Sequence, residues 1–149
     1  PGELGLLFMW FGAFGFIGNM LMSRYIDRIG APRAVAIGIA GMAATMLAWP
    51  VGTSLMLAAV VIVPWALGCF SSNSGQQARL VGIAPPLAPA SIALNSSAMY
   101  AGQAVGAAAG GWMIAQGAMD SLHWAGFAGL LLSMAASAWA STFSHRTRN

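Results

Sequence analysis

Four stretches of this sequence, residues 4–22, 34–78, 80–119 and 121–145, contain no Asp, Glu, Lys or Arg. No other feature limits the fold as strongly. A helix needs about 20 mostly apolar residues, each rising about 1.5 Å, to cross a hydrocarbon core about 30 Å thick. Each stretch allows one crossing, and the longest, 34–78, allows two. Charged residues make up 6% of the chain, against about 25% in an ordinary soluble domain. So few charges do not cover a soluble surface. Lone strands leave their backbone unsatisfied in lipid, and no alternation of the kind used by barrels is present. The sequence reads as an all-α integral membrane protein.

Chain-breaking residues set the number of crossings. The predicted spans are about 4–22, 34–50, 54–78, 92–116 and 122–143. Pro50 and the turn residues after it close the second span, and Pro85, Pro86 and Pro89 place a connecting loop over 80–91. Pro64 is expected to kink the third span and free a backbone carbonyl. All six basic residues are arginines, at 24, 28 and 33, at 79, and at 146 and 148. With five spans these three groups fall on one side, and Glu3 and Asp120 fall on the other. Arginines in short loops favour the cytoplasm. The expectation is a multi-pass protein of the cytoplasmic membrane with a cytoplasmic C-terminus. The same rule accounts for the net charge of +3. No basic face with interleaved aromatics indicates nucleic acid as a partner.

The first connection is more specific than an anchor requires. Arg24, Asp27, Arg28, Gly30 and Arg33 crowd between two spans. A carboxylate there is favoured by the arginines and by the start of the following helix. An acidic-basic pair followed by glycine resembles the loop signature of the major facilitator superfamily, where it occurs between the second and third helices and again between the eighth and ninth. Asp27, Arg28 and Gly30 match. Ser23 stands where glycine is usual, and Ala31-Pro32 where basic residues follow, which fits the second copy better. Downstream, "QQARLVGIAPPLAPASIALNSSAMYAGQAVGAAAGGWMI" resembles the tenth-to-eleventh helix region of the drug- and sugar-efflux antiporter branch.

The resemblance implies that the five spans are helices eight to twelve of a twelve-helix transporter. That is most of its second six-helix bundle, with the N-terminal bundle as partner. A start at Pro1 rather than Met agrees with a truncated chain. The resemblance also implies that the Arg24–Arg33 loop gates access by pinning the bundles together in one state. It further implies that the first, third and fourth spans line a substrate cavity, while the second and fifth face lipid.

Within the spans, Gly102, Gly106 and Gly110 recur every fourth residue and predict a flat helix-packing stripe. Looser glycine sets, Gly12, Gly15 and Gly18 in the first span and Gly38 with Gly41 in the second, suggest weaker packing. Ser96, Tyr100 and Gln103 share one face, with Asn95 and Met99 beside it. Together with Trp10, Phe14 and Trp65 they are the candidate cavity lining for a small-molecule substrate. Arg79 is read as a span end, so no ionisable residue lies deep in a span. A proton-coupling carboxylate is then expected outside this sequence. One cysteine, Cys69, allows no disulfide or cysteine metal site. No catalytic dyad, phosphate loop, cofactor motif or metal-ligand cluster is visible, so an enzyme is not expected. Two functions remain open: a secondary transporter exporting a small solute against protons, and a non-transporting module such as a channel subunit or scaffold in the lipid bilayer.

Overall fold

The computed structural model describes the backbone of residues 2–146 and the side chains through 142. The described residues form six helices: α1 (Gly2–Ile29), α2 (Ala31–Ala48), α3 (Leu55–Val61), α4 (Val63–Ile83), α5 (Ala88–Ala115) and α6 (Leu122–Arg146). Short 3₁₀ turns at Trp49–Val51, Pro85–Leu87 and Met119–Ser121 join them. Among the described residues four stretches are long and apolar enough to cross a membrane: Gly2–Ile29, Ala31–Val51, Leu55–Ile83 and Met119–Thr142. The helix α5 matches α1 in length, 28 residues each. It lies outside that group because Asn95, Ser96, Ser97, Tyr100 and Gln103 dilute its apolarity. The chain is a multi-pass helical membrane protein.

Helix ends follow local chemistry. Ser54 caps α3, its Oγ accepting from the Leu57 N–H at 3.3 Å. Pro32, Pro64 and Pro89 each occupy the first turn of a helix, where a missing N–H leaves no bond unmade. The end of α5 closes on Gly117, whose φ is 75°. Its N–H donates to the Ile114 carbonyl (3.0 Å), and that of Ala118 donates to Met113 (2.9 Å).

One boundary differs from the sequence expectation. The charged segment 23–29 is not a loop but the last turns of α1, and Gly30 at φ 81° is the single residue between α1 and α2. Helical hydrogen bonding does not stop where apolarity stops, and arginine is a good helix former. The expected disturbance at Pro64 is a break in the helix. The helix is interrupted at Ile62, and Pro64 opens α4. Two side chains from other helices cover the interruption. The fully buried Thr45 donates its hydroxyl to the Val61 carbonyl (3.0 Å), and the Trp10 indole N–H donates to the Ala59 carbonyl (2.9 Å).

The core is narrow and centred on α2 and α4. Their contact is the most extensive in the chain, followed by α1 with α4 and α2 with α6. Buried Ala34, Val35, Gly38, Ile39, Ala43, Thr45 and Met46 make α2 the most buried of the helices. One face of α2 is therefore packed against the bundle, while Ile37 and Leu47 on its other side remain exposed. Glycine allows the close approach. A Cβ on Gly38 would meet the Gly68 carbonyl oxygen at 2.9 Å and Ser72 Cβ at 2.8 Å. One on Gly18 would strike the backbone of Leu67. At Gly102 and Gly106, by contrast, no atom lies within 4 Å, and Gly110 meets only Leu122 Cδ2 at 3.8 Å. Among the described residues, close packing lies in the stripes expected to be weaker.

Candidate solute cavity

A cavity of about 670 Å³ opens between α2, α4, α5 and α6. Each wall follows from helical spacing. On α4, Ser72, Asn73, Gln76, Arg79 and Ile83 lie on one face, and on α5 Asn95, Met99 and Gln103 repeat every fourth residue. Val35, Ile39 and Met42 of α2 and Leu130, Ala136 and Ala140 of α6 add apolar surface. An apolar cavity with a few convergent polar groups is the usual form of a small-molecule site.

The candidate lining residues do not all meet here. Asn95, Met99 and Gln103 line the cavity. Ser96 turns its hydroxyl back to the Ile92 carbonyl of its own helix (3.1 Å), and Tyr100 is exposed on α5. Trp10 and Phe14 pair with ring centroids 4.7 Å apart, Trp10 being held at the α3 backbone. Trp65 lines a different cavity, of about 710 Å³, with Trp49, Met119, Asp120, His123 and Gly126. There the His123 Nε2 is buried without a hydrogen-bond partner among the described residues.

The residue that sequence reasoning missed is Arg79. Since α4 runs on to Ile83, Arg79 lies about 6 Å inside the helix end at 1.5 Å per residue. It is only 8% exposed. Its Nη1 donates to Ser137 Oγ (2.9 Å), and its Nη2 to the Ser137 carbonyl (3.3 Å) and Ser141 Oγ (3.0 Å). The available signal was the hydroxyl pair Ser137 and Ser141, four apart on one face of an apolar helix.

The other end of the chain's charge is open. Arg24, Asp27, Arg28 and Arg33 are exposed around Gly30. No side chain caps the start of α2, and Asp27 has no ion-pair partner among the described residues. The expected sharing of Asp27 between arginines and helix N–H groups does not occur there.

Comparison with known proteins gives one relevant likeness. Over 128 residues the chain is 26% identical to a Bacillus subtilis (strain 168) protein described as the uncharacterized MFS-type transporter YbcL. The match covers 85% of this chain and 33% of that protein. The chain thus spans about a third of the relative it matches. No family model matches, and no solved structure does.

Proposed function

We propose that the chain is part of a secondary transporter of the major facilitator type, contributing helices eight to twelve and exporting a small solute in exchange for protons. The observation that carries this reading is the cavity between α2, α4, α5 and α6, with Asn73, Gln76, Asn95 and Gln103 on its walls. Transporters of this architecture bind solute between helix bundles near the midplane. The likeness to the MFS-type relative over most of this chain supports the same reading. On this reading the partner bundle is supplied by the rest of the full-length protein. In this proposal that bundle covers the open Gly102–Gly106 face of α5, and the Arg24–Arg33 junction is the latch that meets it.

The test is proton-coupled flux. Full-length protein in liposomes with an acid lumen and a trapped pH dye should discharge the gradient when a transported amphiphile or sugar is added outside. A gradient that decays as in protein-free liposomes for every solute would support the non-transporting alternative.

Orientation is tested separately. In a Cys69→Ser background, Met119→Cys is expected to react with an impermeant maleimide from outside the cell, and Thr147→Cys only after the membrane is opened. Labelling of both from the same side would refute five crossings.

A further inference from the structure

We propose that the cavity between α2, α4, α5 and α6 selects an anionic solute, a carboxylate or similar oxyanion on an apolar body, through Arg79. The inference narrows the transport reading and rests on it for its physiological meaning.

Arg79 is a full positive charge with 8% exposure. The chain has three acids, Glu3, Asp27 and Asp120, and none lines this cavity. Among the described residues every partner of Arg79 is a neutral oxygen on α6. A buried charge is stable when it is both hydrogen-bonded and paired, and here only the first condition is met. A guanidinium has five N–H donors. Three are directed at Ser137 and Ser141, so the Nε–H and one Nη1–H have no protein acceptor among the described residues. The α6 bonds fix the plane of the guanidinium, and its unspent Nε–H and Nη1–H, on different edges of that plane, are each open to an anionic oxygen. Asn73, Gln76 and Asn95 line the same space and supply neutral donors for further oxygens. Apolar Ile39, Met42 and Leu130 border it and favour an amphiphilic body. An ionisable residue inside a membrane bundle commonly marks a solute or ion path.

The probe is a pair of molecules differing in charge alone, 2-naphthoate and 2-naphthamide, bound to full-length protein in detergent without a gradient. The expected result is naphthoate binding about tenfold tighter than naphthamide, as a charge-assisted bond implies. Arg79→Gln should bring the two within about twofold, and Arg79→Lys should keep part of the preference. Because Arg79→Gln removes the α4–α6 bonds as well, Gln76→Glu is the second variant. It leaves those bonds intact and adds a carboxylate to the same wall one helical turn away. It should abolish the naphthoate preference in folded protein. Equal binding of both probes by the unsubstituted protein would overturn the proposal, with the counter-charge then coming from the rest of the protein. A preference unchanged by Gln76→Glu would also overturn it. Protein that prefers naphthoate yet moves no solute fails the transport reading alone, and protein that moves a neutral solute without this preference fails the anion assignment alone.

Discussion

Gly68→Leu is expected to remove most of the folded protein from detergent extracts. A Cβ at Gly68 would already collide with the Gly38 carbonyl oxygen on α2, and it would reach Met42 Cγ at 3.3 Å. Overpacking a core commonly destabilises by about 1–3 kcal/mol, through neighbours forced off their rotamers. Here the obstacle is backbone, which has no rotamer to change, so α2 and α4 must separate along their whole contact. Ala128→Leu, on an exposed position of α6, is the control and should keep near wild-type yield. The readout is the monodisperse fraction on size exclusion. Equal fractions for the two variants would refute the close approach. Gly106→Leu adds information on α5. A Gly68-like loss in the full-length protein is the outcome expected if the partner bundle covers that face.

Asp27→Asn is expected to lower transport by the full-length protein about 10- to 100-fold while surface abundance stays constant. A charge-assisted bond is worth about 1.5–3 kcal/mol, which shifts a two-state equilibrium by that factor. The carboxylate is exposed and has no ion-pair partner among the described residues. Its removal should therefore leave this chain's own packing untouched, and any effect must arise where the junction meets another surface. Efflux from vesicles, normalised to surface protein, is the measurement. Wild-type efflux would reduce the junction to an anchor of orientation.

The long apolar helices were legible because membrane thickness imposes a length on apolar runs that few other structures need. The junctions were less so. Ser23 to Ile29 looked like a loop because it is polar, yet polarity marks the membrane surface and not the end of hydrogen bonding. Glycine spacing identified smooth faces but not the helix that would meet each one. Gly38 and Gly68 lie in different spans, and nothing local shows that they touch. The α5 wall was half legible. Asn95, Met99 and Gln103 belong to one stripe, whereas Ser96 and Tyr100, one residue along, turn away from it. Arg79 was hidden by its own usefulness as a topology marker. Its burial depends on α4 continuing past it and on two serines of α6 distant in sequence.

The single residue between α1 and α2 carries a mechanical consequence. A longer loop would let two helices tilt and slide separately, whereas one glycine at φ 81° leaves no slack. The two helices make little contact with each other, and α4 packs against both. They form the arms of a V closed at Gly30, with α4 seated between. Glycine contacts fix α4 to each arm, at Gly18 on α1 and Gly38 on α2. A torque applied at the Asp27 end of α1 would therefore be delivered through the apex and through α4 at once. Because Arg79 lies on α4, the charge in the cavity and the charges at the junction belong to one packed set of helices.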